Sequence, residues 1–428
     1  MKASHDKIED FSDGHKSSVQ NQQDCAFDGA FWALVNITDA AHLIHGPTGC
    51  AGSFSSGSDN TAMLNKIRFT TDMEESDIIF GGAKKLYKAI LEVHRRYNPA
   101  AIFVYSTCVS AMIGDDVNGA THDATEKLGI PVIPVDSPGF IGNKNSGIRL
   151  AGDVLIQHVI GTAEPGFTTD YDINLISDNS LSGTVELELL LEKIGIRVLA
   201  KITYNSQFNE IRYAHRAKLN VIISSKPLLK MAKQMEKRFG ISYIQESLYS
   251  IEEINNCLRN IAAKLNNAEL KQKTEKLIAE RNKNLNSQLD LYRSQFKDKR
   301  IVIDVANCNF SFISIAKDLN VDIIPIAKQL NSEDKVKIQK LLNKDVIFLQ
   351  PENETNQIID TIKGWAADML VAPISYQHIA IITQIPFLNS QNQYTHAGYT
   401  GITEAVRSLY TAFKSPVLKQ LNFAAPWE

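Results

Sequence analysis

Cysteine is scarce in this chain, five residues in 428, and the number is odd. A disulfide framework belongs to small secreted domains that cannot build a core, so it does not organise a chain of this length. Metal ligation, catalysis and plain burial remain for Cys25, Cys50, Cys108, Cys257 and Cys308. An excess of charge is missing too: the formal net charge is −3, which steers the chain toward neither nucleic acid nor an anionic membrane. Long apolar runs are also absent. The polar N-terminal segment MKASHDKIEDFSDGHKSSVQNQQD lacks the apolar core, about 7–15 residues long, of a signal peptide. No uncharged stretch reaches the ~18 residues needed to span a bilayer. The expected location is the cytoplasm.

What the chain does contain is alternation. Runs such as AAIFVYSTC (100–108), GIPVIPVD (129–136), YDINLISD (171–178), IRVLAKIT (196–203), LNVIISSK (219–226), RIVIDVAN (300–307), VDIIPIAK (321–328), DVIFLQPE (345–352) and MLVAPISY (369–376) have the length and β-branched content of strands buried on both faces. Between them lie helical periodicities, as in KKLYKAILEVHRRY, where Leu86, Ile90, Val93 and Tyr97 form one apolar stripe. The pattern predicts an α/β protein of three Rossmann-like domains with mainly parallel sheets, in line with a domain size of about 150 residues. AEPGFTTD is turn-rich, and residues 250–298 offer no strand but begin with a capping-box spacing, Ser250 to Glu253. These features divide the chain into domains 1–165, 166–298 and 299–428.

Three of the cysteines share a setting. Cys25 precedes the first apolar segment, and Cys50 sits in HGPTGCAG, whose glycines and Pro47 predict a loop. Cys108 ends a strand, at the edge where open α/β sheets bind their ligands. Burial as small hydrophobes is the competing reading, and for Cys257, in line with Ile254, Leu258, Ile261 and Leu265, it is the preferred one. The spacing of the other three matches no compact ferredoxin or zinc pattern. A cubane cluster takes four thiolates and this domain supplies three. The fourth ligand is then an oxygen, a distant residue such as Cys308, or a group from another polypeptide.

Taken in order, CAFDGA, ITDAAHLIHGPTGCAG, FTTDMEESDIIFGGAKKLYKAI, STCVSAMIGDD, PGFIGNKNSGIRLAG and HVIGTAEP resemble the α-type subunits of nitrogenase component 1. Within that family they are most similar to the branch that builds the iron–molybdenum cofactor. The likeness continues through GIRVLAKIT, EIRYAHRAKLNVIISSKPLLKMAKQMEKRFGI and HAGYTG. It implies an α2β2 heterotetramer with a β-type partner and a transiently docked reductase. It also implies a 4Fe-4S type iron–sulfur cluster at the α/β interface, held by Cys25, Cys50 and Cys108 with the partner completing the ligation. A second, larger precursor cluster is implied between the domains, on a scaffold that is not itself catalytic.

The chain departs from the family near that second cluster. Ser224 stands where a cysteine is usual, and serine is a far poorer iron ligand. A glycine-rich turn is replaced by NCNFSF, which brings Asn307 and Cys308, and Gln391 follows IPF where catalytic subunits carry a ligand histidine. Cys308 and His396 are the candidate replacements, each with a structural role as the plainer alternative. His42 and His45 flank the Cys50 loop and are read as structural, and Gly81-Gly82 is too weak a fragment to imply a phosphate loop. The altered second pocket leaves an alternative function open: the α-type subunit of a nitrogenase-like reductase acting on another substrate.

Overall fold

The computed structural model describes residues 25–52, 67–178, 182–306, 310–390 and 396–415. Three separate parallel sheets follow one another along the chain. The first has the order β2-β1-β3-β4, from Ile67–Thr70, Ala41–His45, Ile102–Ser106 and Val132–Val135. The second has the order β6-β5-β7-β8, from Arg197–Thr203, Asp172–Ser177, Leu219–Ile223 and Ser242–Glu246. The third is β11-β10-β9-β12-β13, from Ile347–Phe348, Asp322–Ala327, Arg300–Asp304, Met369–Ala372 and Phe387–Asn389. Each of the nine predicted runs contains a strand. The helix predicted over the Leu86 stripe spans Ala83–Tyr97, with Leu86, Ile90 and Val93 buried.

Four strands escaped the pattern. β1 carries two histidines, which read as polar yet are buried because their ring nitrogens find partners inside: His42 Nδ1 lies 2.7 Å from the Tyr105 hydroxyl, and the ring stacks on Phe103. β2, β8 and β13 are short or only half-buried, and their residues lack the apolar density of a central strand. Between residues 250 and 298 the chain forms two helices, Ile251–Lys264 and Ala268–Phe296. Ser250 caps the first by accepting the Glu253 N–H at 3.0 Å, whereas the Glu253 carboxylate takes the amide of Tyr249 rather than closing the box on Ser250.

The sheets share their cores. One apolar cluster runs from Phe27 and Phe31 through Phe103 and Leu155 to Ile202 and Met231, joining the first and second sheets. Another runs from Ile173 and Leu191 through Cys257 and Phe296 to Ile303, Ile402 and Leu409, joining the second and third. Cys257 is fully buried there, as its position on the apolar stripe predicts.

Beside the first sheet, one close helix pair sets the local geometry. The Ala26–Leu34 helix and the Lys144–His158 helix approach so nearly that a Cβ on Gly29 would lie 1.9 Å from the Lys144 carbonyl oxygen. A Cβ on Gly147 would lie equally close to the Ala26 carbonyl oxygen, at 1.9 Å. No side chain fits at either position. This contact brings Cys25, which bridges to Asn143, against the segment following β4.

Candidate metal centre

Cys25 is the N-cap of the Ala26–Leu34 helix. Its sulfur accepts the Asp28 N–H at 3.5 Å and its thiol donates to Asp28 Oδ2 at 3.2 Å, while the Cys25 N–H reaches the same oxygen at 3.4 Å. This is a capping box with cysteine in place of serine. Cys50 lies in a single helical turn, Thr48–Gly52, and not in the loop that its glycines predict. Pro47 immediately precedes that turn, and its carbonyl accepts the Cys50 N–H at 3.1 Å. Cys108 follows β3 as the first residue of the Cys108–Met112 helix, at the carboxyl edge of the sheet as expected.

Two of the thiols, those of Cys25 and Cys108, come together at Gly139. The Gly139 N–H donates to Cys108 Sγ at 3.1 Å. A Cβ on Gly139 would lie 3.1 Å from Cys108 Sγ and 3.2 Å from Cys25 Sγ, so the two sulfurs are no farther apart than those two lengths combined. Cys50 belongs to the same locus, since Cys108 and Asp28 both act on its thiol electrostatically. Among the described residues no three cysteine, histidine or acidic side chains meet at a point that one metal ion could occupy.

Burial, with smaller contributions from Asp28, pushes the Cys25 thiol up to about 11, and burial together with Cys108 and Asp28 raises that of Cys50. A bare thiolate is therefore disfavoured at neutral pH, the reverse of what a nucleophilic cysteine needs. A metal cation replacing the proton would remove the penalty. Two exposed apolar side chains neighbour these residues along the chain: Met112, which ends the Cys108–Met112 helix, is 79% exposed, and Phe140, beside Gly139, 64%.

A buried polar network lies at the end of β1, before the Cys50 turn. His45 Nε2 lies 2.9 Å from Asp115 Oδ2 and its Nδ1 3.1 Å from Thr71 Oγ1. Burial depresses the His45 imidazole despite the carboxylate beside it. The same Asp115 carboxylate accepts the Gly82 N–H at 2.9 Å and 3.0 Å. The glycine pair thus spends its amide on an internal aspartate, in agreement with the absence of a phosphate loop, and both His42 and His45 have the structural roles expected of them.

At the second candidate pocket the described residues supply less. Asn307, Cys308 and Gln391 lie outside the described residues. Ser224 follows β7 in the left-handed backbone region (φ 53°), is exposed, and donates its N–H to the Glu246 carbonyl at 3.0 Å. His396 stands edge-on to Phe312, ring centroids 5.6 Å apart, and its Nδ1 is buried without a hydrogen-bond partner. Burial lowers its pKa, so the ring stays neutral with an unused nitrogen, which fits a ligand role. No hydrogen bond joins Ser224 to His396 among the described residues. Three residues of these sites went unrecognised in the sequence. Gly139 sits in PGF, a turn with no ligand chemistry of its own; Asp28 stands three residues after Cys25 at capping-box spacing, a signal hidden by the unusual cap; and Asp115 lies in an ordinary acidic pair.

Comparison with known proteins gives the family and the fold. The family described as nitrogenase component 1 type oxidoreductase matches residues 25–414. The nitrogenase iron-molybdenum cofactor biosynthesis protein NifE of Nostoc sp. is 51% identical over 415 residues, covering 95% of this chain and 86% of the relative. The NifE of Klebsiella pneumoniae is 35% identical over 421 residues, 94% and 92% of the two chains. Among solved structures, nitrogenase Cp1 at pH 5 superposes with a TM-score of 0.76 at 24% identity, covering 95% of this chain and 90% of the other, a likeness of fold.

Proposed function

Because this chain belongs to the nitrogenase component 1 type oxidoreductase family, we propose that it is a NifE-like scaffold subunit for iron–molybdenum cofactor biosynthesis. In this reading Cys25, Cys50 and Cys108 hold an iron–sulfur cluster, of 4Fe-4S type, at an interface with a NifN-like β-type subunit in an α2β2 heterotetramer. The observation that supports it is the meeting of the Cys25 and Cys108 sulfurs at Gly139, with Cys50 in electrostatic reach of Cys108. In this reading the partner supplies the remaining ligation; Cys257 is sealed in the core. Such a cluster relays electrons when bound. The chain's own contribution is to orient the thiols, through the Cys25 cap and the Gly139 amide.

The second pocket, framed by Ser224, Asn307, Cys308, Gln391 and His396, is proposed to hold the larger precursor cluster without the usual cysteine anchor. Loose retention suits a scaffold that passes its product on. A NifH-like reductase docks transiently, and the site of action is the cytoplasm; among the described residues no helix is long and apolar enough to cross a membrane. The domain boundaries at 165 and 298 belong to the same proposal. The second reading, a nitrogenase-like reductase subunit with another substrate, is favoured by one observation, the exposed serine at position 224.

The test is anaerobic co-purification with the β-type partner followed by iron and sulfide counting. A scaffold carries iron for two clusters per αβ pair and releases one of them. A pair that carries only the interface cluster, and loses none on gel filtration, overturns the assignment in favour of the reductase.

A further inference from the structure

His396 immediately precedes the Gly398–Phe413 helix, whose N-cap, Ala397, has no side chain to offer the exposed amides of the first turn. That capping comes from a different part of the chain. Glu186, on the Ser182–Ile194 helix after β5, accepts the Thr400 N–H through Oε2 at 3.1 Å, and its Oε1 lies 3.2 Å from Thr400 Oγ1. A carboxylate here also answers the positive end of the helix dipole. The Leu248 carbonyl, from the segment after β8, accepts the Gly398 N–H at 2.9 Å. Tyr399 buries its hydroxyl against Asn255 Oδ1 at 2.6 Å.

Sterics fix the same junction. A Cβ on Gly183 would lie 2.6 Å from the Ala397 carbonyl carbon and the Gly398 nitrogen. Gly398 has φ +80°, and a Cβ there would fall 2.4 Å from Glu186 Oε2 and 2.9 Å from the Gly183 Cα. The two glycines allow the backbones to touch, and no larger residue fits at either place. The groups just named that hold the backbone after His396 thus belong to the second sheet's helices and loops, whereas the ring contact of His396, to Phe312, is made within the third-sheet region.

We propose that Glu186 and Gly183 are positioning residues for His396: the clamp they form on Ala397–Thr400 sets the direction in which the unpartnered Nδ1 of His396 is presented between the second and third sheets. The inference rests on His396 facing the second cluster pocket and adds which residues hold it there. Displacing the first helical turn by even about 1 Å would misplace a ligand nitrogen enough to matter, because ligand geometry tolerates only ~0.5 Å.

The experiment uses the complete αβ pair, prepared anaerobically, with Glu186→Ala, Glu186→Gln and His396→Ala. In the metal-free pair, the carbethoxylation rate of His396 and the amide exchange of the first turn report the clamp itself; Glu186→Ala should raise both at least tenfold, and Glu186→Gln, which keeps the acceptor, should stay within about threefold of the parent. In the loaded pair, Glu186→Ala should lose at least half of the iron bound beyond the interface cluster, as His396→Ala does, while the visible absorption of the interface cluster stays unchanged and so certifies the fold. Glu186→Ala retaining full second-site iron while His396→Ala loses it would overturn the positioning role and leave the scaffold reading standing. Full retention in His396→Ala would overturn it as well, since there would be no ligand to position. A parent that never carries second-site iron overturns the precursor-cluster reading instead, and the clamp is then judged on the two metal-free measurements alone.

Discussion

The backbone N–H of Gly139 points at the sulfur of Cys108 from 3.1 Å, on a residue whose Cβ, were it present, would press on that sulfur at 3.1 Å and on the sulfur of Cys25 at 3.2 Å. In the metal-free protein an alanine Cβ at this position can be absorbed by rotating a thiol. With a cluster bound, neither sulfur is free to move. Gly139→Ala is expected to change stability by less than about 1 kcal/mol in the apo protein, the scale of a tolerated small-to-large change, yet to lose more than half of the interface iron. Thermal unfolding of the apo form together with iron analysis of the reconstituted αβ pair checks both halves; undiminished iron would refute it.

Single replacements of Cys25, Cys50 or Cys108 by alanine should each bleach the visible absorption of the interface cluster, because a site already short of one thiolate cannot lose another. Cys257→Ala is the control. It leaves a small cavity in the shared core and should cost about 1 kcal/mol with the spectrum intact.

The raised Cys25 thiol has a consequence in alkali. Its ordinary value is 9.0 and the folded chain holds it at about 11, so above pH 9 the native state retains a proton that the unfolded chain gives up. Stability due to this group is fully present below pH 9 and is lost as pH rises toward 11. Denaturant midpoints of the metal-free protein should therefore fall more steeply over that interval in the parent than in Cys25→Ala. Parallel curves for the two proteins would contradict the assignment.

Asp115 accepts from Gly82 and faces His45, and both partners are inside the protein. Asp115→Ala leaves a buried imidazole nitrogen and a backbone amide unsatisfied, and should cost about 1–3 kcal/mol per orphaned group. Because His45 also accepts Thr107 Oγ1–H through its carbonyl at 2.9 Å, the same change should loosen the turn before Cys108 and lower interface iron. Asp115→Asn keeps an acceptor and should recover most of the stability. Circular dichroism melts of the three proteins separate these outcomes.

Ser224→Cys restores a thiol at the end of β7 and is expected to increase the iron retained through anaerobic gel filtration; Cys308→Ser is expected to decrease it if that cysteine replaces the missing anchor. No change in either variant, with iron for a single cluster in the parent, would point to the reductase reading.

Much was legible in the sequence because it depends on near neighbours. The central strands announce themselves as β-branched runs, since a parallel strand covered on both faces needs apolar residues throughout. The stripe of Leu86, Ile90 and Val93 gives its helix, and Cys257 its burial, by the same periodic rule. The family could be read from motifs for a similar reason: CAFDGA, HGPTGCAG and STCVSA each hold a thiol and its immediate surroundings within a few residues. β1 resisted because the burial of His42 is made possible by Tyr105, sixty-three positions away. Gly139 and Glu186 resisted for the same cause: one matters through sulfurs that β3 and the first helix deliver to it, the other through an amide 214 residues further on. Sequence determined which atoms are available and which segments are helix or strand, whereas the meeting of distant thiols around one glycine, and of a carboxylate with a distant helix end, was decided only when the sheets packed, because hydrogen bonds and steric gaps act over about 3 Å of space irrespective of the length of chain between the groups.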